Sequence, residues 1–448
     1  MRLPYFVYDV LTTLNKKGYA AYVVGGACRN YFLNQPIHDY DVTTSAAPEV
    51  VKAIFETRYL VVETGLKHGT VTLVNDSKHQ VEVTTFRKDL AYEDNRHPSG
   101  VVYVSDYIED SKRRDFTINA LYYDVVTNQF LDPTNGKKDI YERKIRCIGN
   151  PDDRFKEDGL RILRAIRFES CLDGFEIEEE TYNAIFRNKD LLNNIAYERI
   201  REEFNRILLS NNVEKIVKKY FDIFKIFIPE FEACKDFQQK SRYHKYDVLT
   251  HVLKACDYVK PSLSLKLAAI LHDIAKPLVA KPNPKNPARL QFIGHEYASA
   301  DLAVTILNRL HYDNKTVRKV EALIRAHDRL LRPDKRKDFA KLLPLVGKYN
   351  ILDLIELKRA DDLAHKDDLS LNKKYNELYR VGKDFVSNTG ALQISDLKIN
   401  GKVLIDLGFK PGAIFKTILY DVLNRVVLNE LENTLEAETE YVKTKYKI

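Results

Sequence analysis

The pattern of apolar and polar positions divides the chain into a strand-rich N-terminal part and a helical remainder. Up to about residue 145, short runs alternate in polarity, as in YAAYVVGG, TVTLV, HQVEVTTF and GVVYVSDYI. A period of two is typical of half-buried strands. Helix-like stretches such as SAAPEVVKAIFETRY lie between these runs. The pattern therefore predicts a mixed α+β unit at the N-terminus.

Helical periodicity dominates from about Pro151 onward. Apolar residues recur at three- and four-residue spacing in RFKEDGLRILRAIRFES, VLTHVLKACDYV, LSLKLAAILHDIAK and VRKVEALIRAH. The segment LVAKPNPKNPARLQF is rich in proline and is predicted to be a loop between helices. We therefore expect the remaining two-thirds of the chain to be all-helical.

Composition restricts the class of protein further. The 448 residues include 71 Lys and Arg against 64 Asp and Glu, and this net charge of +7 permits a polyanionic partner without demanding one. Five scattered cysteines without a CxxC pair argue against a disulfide framework or a thiolate zinc site. No apolar run is long enough for a membrane helix. The N-terminal segment carries Asp9 within its apolar stretch and is predicted to be an amphipathic helix, not a signal peptide. We expect a cytoplasmic protein with no membrane partner.

The first candidate site lies in VVGGACRNYFLNQPIHDYDVTT. Gly25 and Gly26 follow an apolar strand, where backbone N–H groups can approach a phosphate, and Arg29 one turn later could join that contact. Asp39 and Asp41 alternate on a predicted strand, so both carboxylates share one face. Two such carboxylates suit Mg²⁺, and a pair of ions could activate a hydroxyl and stabilise a leaving pyrophosphate.

A third carboxylate is a candidate for the same site. Glu82 stands between Val81 and Val83 in the predicted strand HQVEVTTF. It joins the aspartates if its side chain points to their face of the sheet. The alternative, which the sequence leaves equally open, is an exposed acid on an edge strand.

Two further segments carry paired charges. KRRDFTINALYYD contains Arg113, Arg114, Asp115 and Asn119, which suit a triphosphate and a ribose but also suit an ordinary charged helix start. In RFKEDGLRILRAIRF, charged residues recur every three positions and are expected along one helix face: Asp158, Arg161, Arg164 and Arg167. They could form helix salt bridges, or they could offer an acceptor and donors to a base edge.

These motifs together resemble those of the class II nucleotidyltransferases, which comprise the tRNA CCA-adding enzymes and the bacterial poly(A) polymerases. GGACRN followed by DYD resembles their motif A, except that Asn30 stands where an Asp is usual, and RRDFTINA, EDGLR and YERIREEF resemble later motifs. The resemblance implies that Asp158 and Arg161 act as a protein template that accepts CTP and ATP. Arg164 and Arg167 would help to hold the nucleotide. FRKDLAYEDNRHPSG resembles the flexible loop that helps the family to switch from C to A addition, with matches at Arg87, Tyr92, Asp94, Arg96 and Pro98.

A second candidate site lies among the histidines between residues 244 and 327. A His272–Asp273 dyad in an apolar helix is costly to bury unless it is coordinated or hydrogen-bonded. With His251 and Asp328 it would give two nitrogen and two oxygen ligands for a divalent transition metal. The remaining two candidates, for a second ion or a phosphate, are His295 and His327. This order resembles the HD superfamily of metal-dependent phosphohydrolases. The resemblance implies hydrolysis of a phosphomonoester or a 2′,3′-cyclic phosphate, and the alternative is an inactive HD fold that serves packing or tRNA binding.

The sequence thus predicts an α+β protein with a palm-type head containing a mixed sheet, followed by helical regions. The expected regions are a nucleotidyltransferase head (1–145), a base-reading neck (146–235), an HD domain (236–345) and a tail that contacts tRNA (346–448). The expected function is addition of CCA to the tRNA 3′ end from CTP and ATP with Mg²⁺, with Asp39, Asp41 and Glu82 as catalytic residues. The alternatives are a poly(A) polymerase, an enzyme that adds only CC or only A, a phosphohydrolase with an RNA-binding head, an alarmone synthetase/hydrolase and a non-catalytic RNA-binding protein.

Overall fold

The computed structural model describes residues 1–63, 69–89, 100–241, 244–388 and 393–446. Contacts within the chain separate it into two compact units, 1–204 and 205–448. The finer division into four regions remains a prediction. No helix in the described ranges is both long and apolar enough to cross a membrane.

The first unit combines strands and helices in alternation. Its strands are β1 (Ala21–Val24), β2 (Asp41–Thr44), β3 (Leu60–Val62), β4 (Thr70–Val74), β5 (Gln80–Thr85), β6 (Arg87–Asp89), β7 (Val101–Tyr103), β8 (Tyr122–Asp124), β9 (Gln129–Leu131), β10 (Lys144–Ile145) and β11 (Glu176–Ile177). Its helices are α1 (Tyr5–Lys16), α2 (Gly26–Phe32), α3 (Pro48–Phe55), α4 (Tyr107–Lys112), α5 (Gly136–Tyr141), α6 (Pro151–Glu157), α7 (Leu160–Cys171), α8 (Glu179–Arg187) and α9 (Tyr197–Leu208), the last of which runs across the boundary.

A seven-stranded sheet organises the first unit. Its order is β3-β4-β5-β2-β1-β8-β9, and the β2–β5 pair is parallel while the other neighbours are antiparallel. The mixed sheet of the predicted head is therefore confirmed. The apolar face of α1, with Val10, Leu11 and Leu14 fully buried, packs against β1 as its amphipathic sequence predicts.

The single helix expected through RFKEDGLRILRAIRF is two helices with a break between them. Asp158 has extended backbone angles (φ −146°, ψ 104°) at the end of α6, and α7 begins at Leu160. Gly159 lets the break pack closely, because a Cβ there would lie 3.1 Å from the Cβ of Leu191. Asp158 and Arg161 consequently do not share one helical face.

The second unit is mostly helical. Its helices are α10 (Val213–Lys219), α11 (Phe221–Phe227), α12 (Phe231–Cys234), α13 (Val248–Tyr258), α14 (Leu263–Leu271), α15 (Lys276–Val279), α16 (His295–Arg309), α17 (Asn314–Ala326), α18 (Arg336–Ala340), α19 (Leu343–Val346), α20 (Ile351–Lys366), α21 (Asn372–Asn388), α22 (Gly401–Asp406), α23 (Ala413–Val427) and α24 (Leu435–Tyr446). Helices α13, α14, α17 and α20 pack against one another around a core of buried aliphatic side chains.

The proline-rich segment expected to be a loop instead forms a hairpin. Strands β12 (Lys281–Asn283) and β13 (Asn286–Gln291) pair antiparallel, with a register shift between Pro282 and Asn283. Each strand of a two-stranded ribbon has a free edge, so prolines that cannot donate a ladder hydrogen bond are tolerated there.

Candidate functional site

Two carboxylates of the head lie side by side on the parallel strands β2 and β5. Asp41, the first residue of β2, is the register partner of Glu82 in β5, so both side chains project from the same face. Val81 and Val83 on either side of Glu82 are buried, which leaves the glutamate exposed. Asp39 is exposed and precedes β2, so it reaches the group from the irregular segment before the strand rather than from the strand itself.

The charges of the neighbouring acids affect the pKa of Asp41. Desolvation at the strand end, together with the charges of Glu82 and Asp39, raises the pKa of Asp41, against the opposing effect of Arg114. A carboxylate whose neighbours are also anionic gains from a bound cation. Gly25, at φ 76°, ends the adjacent strand, and a Cβ there would lie 3.6 Å from the Asp41 carboxylate. The head therefore offers Asp41 and Glu82 as candidate ligands for a divalent ion, next to a turn at Gly25 that allows a close backbone approach.

Three guanidinium groups of the first unit pack around one buried aromatic ring. The side chains of Arg29, Arg164 and Arg167 lie 5.2, 5.8 and 4.0 Å from the centroid of Phe168. We call this group the arginine cluster. Burial and the two neighbouring arginines lower the pKa of Arg29 to about 10. Such crowding of positive charge is relieved by an anion, and guanidinium groups bind phosphate oxygens well.

Hydrogen bonds hold the arginine cluster in place. Arg29 donates to the Asn119 side chain at 2.7 Å, Asn119 donates to Asp115 at 3.1 Å, and Arg164 donates to Asp115 at 2.6 and 2.9 Å. Burial alone would raise the pKa of Asp115, but Arg164 and these hydrogen bonds hold that pKa below its usual range. Arg167 pairs with Glu203 at 2.5 Å. The sequence-predicted nucleotide residues Arg29, Asp115, Asn119, Arg164 and Arg167 therefore form one connected network.

The other predicted nucleotide residues have different partners. Arg113 and Arg114 both donate to the buried carboxylate of Asp110, at 2.8 and 2.9 Å. Asp110 lies one turn earlier on α4, and the sequence analysis did not identify it. Its spacing of three and four residues from Arg113 and Arg114 is typical of side chains that pair on a helix.

The predicted base-reading pair is also separated in this structure. Asp158 accepts from Arg199 of α9 at 2.9 Å. Arg161 donates to Glu157 at 2.6 Å and to the backbone carbonyl of Arg113 at 2.9 Å. The expectation that Asp158 and Arg161 lie on one stiff helical face is corrected, because the backbone leaves the helical conformation at Asp158.

The second candidate site is a buried cluster of imidazoles and carboxylates in the second unit. One ligand set comprises His251, His272, Asp273 and Asp361, whose ligand atoms all lie within 4.8 Å of one another. Oδ1 of Asp361 is 3.1 Å from His251 Nε2 and 3.4 Å from His272 Nε2. A second set comprises Asp273, His295 and His327, and a third comprises His244, His251 and His365. Asp273 belongs to the first and second sets, so it could bridge two ions.

The histidines are oriented as metal ligands are. Nδ1 of His272, His295 and His327 lies 2.6–2.8 Å from the backbone carbonyls of Ala269, Phe292 and Ile324, which fixes the proton on Nδ1. Nε2 of each ring is thereby directed into the cluster, where His295 and His327 approach to 3.3 Å. Among the residues that the structure describes, neither oxygen of the buried Asp273 carboxylate accepts a well-formed hydrogen bond, although Lys276 Nζ lies 2.5 Å from Oδ2.

The charge states reinforce this interpretation. Burial lowers the pKa of His327 to about 3, so its ring is neutral at neutral pH and Nε2 carries a lone pair. Burial also disfavours the imidazolium of His272, but the carboxylates of Asp273 and Asp361 outweigh it and raise that pKa to about 10. A divalent ion would take the place of that proton, as metal binding to histidine requires. The residues present therefore fit one or two metal ions.

A cavity of about 470 Å³ adjoins the cluster. Its walls include six residues of the ligand sets, namely Asp273, His295, His327, Asp361, His244 and His365. Lys276, Lys358, Asp328 and Phe292 also line it. Ions bound in the cluster would consequently be open to a small substrate on one side, which is a requirement for a catalytic rather than a structural metal site.

Family models match three parts of the chain. The "Poly A polymerase head domain" matches residues 21–146, the "Probable RNA and SrmB- binding site of polymerase A" matches 174–235, and "tRNA nucleotidyltransferase domain 2 putative" matches 295–442. The CCA-adding enzyme of Lactobacillus helveticus is 42% identical over 97% of this chain and 95% of its own length. That of Ligilactobacillus salivarius is 32% identical over the same shares. The chain belongs to the CCA-adding enzyme family.

Solved CCA-adding enzymes share the fold over nearly the whole chain. The enzyme from Bacillus stearothermophilus, in complex with CTP, has a TM-score of 0.73 and 25% identity, and the alignment covers 100% of this chain and 98% of that one. The Thermotoga maritima CCA-adding enzyme, complexed with tRNA, has a TM-score of 0.59 at 20% identity over 98% and 94% of the two chains, and it shows the fold alone.

In this member of the CCA-adding enzyme family, the main difference from the sequence predictions lies in the candidate metal cluster of the second unit. Asp328 was predicted as the fourth ligand, but the described carboxylate that joins His251, His272 and Asp273 is Asp361. Asp328 lies in the cavity wall instead, because it follows His327 at the end of α17 while Asp361 enters the cluster from α20. No HD-like pair marks Asp361 in the sequence. The predicted loop residues Tyr92, Asp94, Arg96 and Pro98 lie outside the described residues.

Proposed function

We propose that this chain adds C, C and A to the 3′ end of tRNA from CTP and ATP and releases pyrophosphate. The observation that carries the proposal is the register pair of Asp41 and Glu82, with Asp39 and the Gly25 turn beside it. It is supported by full-length relatives that are CCA-adding enzymes, and by a similar structure that holds CTP. We place the activity in the cytoplasm, with free thiols at all five cysteines.

The residues of the head have three proposed roles: metal binding, triphosphate binding and orientation of the arginines. Asp39 and Asp41, with Glu82 as a third carboxylate, hold Mg²⁺, which would lower the pKa of the tRNA 3′-hydroxyl and stabilise the pyrophosphate. The arginine cluster binds the triphosphate, and the Gly25–Gly26 turn lets backbone N–H groups approach it. Asp115 and Asn119 orient Arg29 and Arg164 rather than touching the reacting atoms.

Base selection is proposed for Asp158 and Arg161 across the helix break. CTP and ATP both present an amino donor beside a ring-nitrogen acceptor, whereas UTP and GTP present the reverse pattern. One carboxylate and one guanidinium can therefore distinguish the two groups. Since Asp158 is paired with Arg199 and Arg161 with Glu157, an incoming base competes with these ion pairs.

The test incubates pure protein with tRNA that lacks its 3′ end and with each nucleoside triphosphate separately and together. Full CCA addition is expected, and Asp41→Asn or Glu82→Gln should lower the rate by at least about a hundredfold, since electrostatic stabilisation lost at a reacting centre costs that much. Asp76→Asn is the matched control, because Asp76 is an exposed acid of the same unit outside the site. Poly(A) tails, or C without A, would identify one of the alternative enzymes. Equal rates in all variants would refute the assigned site.

We infer a second activity, metal-dependent hydrolysis of a phosphate ester, from the ligand sets that converge beside the 470 Å³ cavity. Protein loaded with Mn²⁺, Co²⁺ or Ni²⁺ should hydrolyse p-nitrophenyl phosphate or a 2′,3′-cyclic nucleotide. The double variant His272→Ala with Asp273→Ala should lose this hydrolysis and keep nucleotide addition. Absence of hydrolysis with every metal would leave the cluster a structural element and refute the second activity.

A further inference from the structure

The β12–β13 hairpin is next to the candidate metal cluster in the sequence, and its base adjoins the cavity. It follows α15, which carries Lys276, and it leads into His295, a member of the second ligand set. The residues that connect the hairpin to His295, namely Phe292, Ile293 and Gly294, line the cavity. The base of the hairpin therefore borders the cavity.

The hairpin carries three cations that no acid neutralises. Lys281, Lys285 and Arg289 are exposed, and within the described ranges no carboxylate lies at ion-pair distance from any of them. Lys281 pairs with Gln291 in the strand register, and Arg289 is two residues from Gln291. Because side chains alternate along a strand, Lys281 and Arg289 project from the same face. Lys285 lies in the connecting turn.

The hairpin itself contains no acidic residue that could balance this positive charge. Lys281 and Arg289 place like charges on one face of neighbouring strands, and an anion bound there would interact favourably with both. The hairpin contains basic but no acidic side chains, whereas the wall of the cavity includes the acids Glu296, Asp328 and Asp362. A small phosphate ester needs only the bound ions, whereas an exposed row of cations leading away from the cavity suits a substrate with further phosphates.

We propose that the hairpin binds the backbone of a single-stranded RNA whose phosphate-bearing end enters the metal cluster. The proposal rests on the second activity and names its substrate class: a polynucleotide end rather than a free nucleotide. Cations that follow the backbone and an aromatic side chain that stacks on a base are the usual elements of single-strand binding, and Phe292 in the cavity wall provides the ring.

The test compares two substrates and two triple variants under metal-loaded conditions. The hairpin variant carries Lys281→Gln, Lys285→Gln and Arg289→Gln. The matched control removes the same charge from exposed positions of the same unit that do not line the cavity, and carries Lys315→Gln, Arg318→Gln and Lys383→Gln. The substrates are a short 3′-phosphorylated oligoribonucleotide and p-nitrophenyl phosphate, each assayed over a range of salt concentrations.

The hairpin variant should raise KM for the oligoribonucleotide by about tenfold or more at low salt. The slope of log KM against log salt should fall by about two, because each lost single-strand phosphate contact removes about 0.7. Turnover of p-nitrophenyl phosphate should stay within about twofold of wild type, and the control variant should match wild type on both substrates.

The outcomes distinguish failure of the hairpin proposal from failure of the second activity on which that proposal depends. A hairpin variant with wild-type KM and salt slope on RNA, while p-nitrophenyl phosphate is still hydrolysed, would overturn the hairpin proposal alone. The hairpin proposal would also be overturned if the control variant raised KM for the oligoribonucleotide as much as the hairpin variant does. Failure of the wild-type protein to hydrolyse either substrate would overturn the second activity and the hairpin proposal together.

Discussion

Replacing Asp361 should weaken metal binding in the second unit far more than replacing Asp328. Both acids line the same cavity, but Asp361 Oδ1 lies 3.1 Å from His251 Nε2, 3.4 Å from His272 Nε2 and 3.3 Å from His365 Nε2. Burial alone would raise the pKa of Asp361, but His272 and hydrogen bonds from the imidazoles hold that pKa well below its usual range. Asp361 is therefore an anion directed into the ligand set.

The size of the effect follows from the number of ligands lost. Asp361→Asn keeps an oxygen ligand of nearly the same shape but removes one of the two negative charges of a four-residue set. Removal of an outer partner of a metal ligand typically costs 10- to 100-fold in affinity, so loss of charge on a direct ligand should cost about 100-fold or more, which is about 2.7 kcal/mol. Asp328→Asn should change the affinity by less than about threefold, or below about 0.7 kcal/mol.

The assay is calorimetric titration of chelator-treated protein with Mn²⁺ or Co²⁺, with circular dichroism to confirm that both variants are folded. Nucleotide addition to tRNA serves as a second control, because neither acid belongs to the head. A larger loss of affinity in Asp328→Asn than in Asp361→Asn would refute the ligand assignment made from the structure. It would restore the assignment that the HD-like order of the sequence predicts.

Two further predictions concern the stability of the first unit. The folded-state pKa of Asp115 is depressed, so the stability that it contributes is present above its unfolded pKa of about 3.9 and is lost as pH falls through the folded value. Urea unfolding at acid pH should thus show a flatter pH dependence for Asp115→Asn than for wild type, and equal slopes would contradict the ion pair. Gly136→Ala should lower the free energy of unfolding by about 1–3 kcal/mol, because its Cβ would lie 2.2 Å from the carbonyl oxygen of Thr117. Gly26→Ala, whose Cβ would lie 3.5 Å from the end of the Arg29 side chain, should be tolerated, and an equal loss in both variants in thermal melts would show that the close approach is not the cause.

The features of the fold that were predicted correctly are those with a local signal. Alternation around Glu82 and the apolar face of α1 are both visible in short windows, and both describe the structure. The helix break at Asp158 also has a local signal, namely Gly159, but the regular spacing of charges on either side of it favoured a continuous helix. The hairpin was missed because its prolines disfavour strands in general but not in a ribbon with two free edges.

The ligands that could not be predicted are those that only tertiary packing brings together. Asp361 enters the cluster from α20, remote in sequence from His251 and His272, and it lies within the ordinary-looking helical stretch KRADDLAHK. Neighbouring Asp362 is chemically identical in the sequence, and only the rotation of α20 against α13 and α14 selects between them. Helical packing angles are not encoded in residue spacing, so the HD-like motif pointed to Asp328 instead.

The residues of the first two candidate ligand sets come from α13, the end of α14, the start of α16, the end of α17 and α20. An ion that binds there joins five separate stretches of chain, and these stretches converge only in the folded state. By thermodynamic linkage, free metal at a thousand times its dissociation constant would add about 4 kcal/mol to the stability of the second unit. A higher concentration of free metal in the growth medium would then raise the temperature at which this unit unfolds, whether or not the bound ions catalyse a reaction.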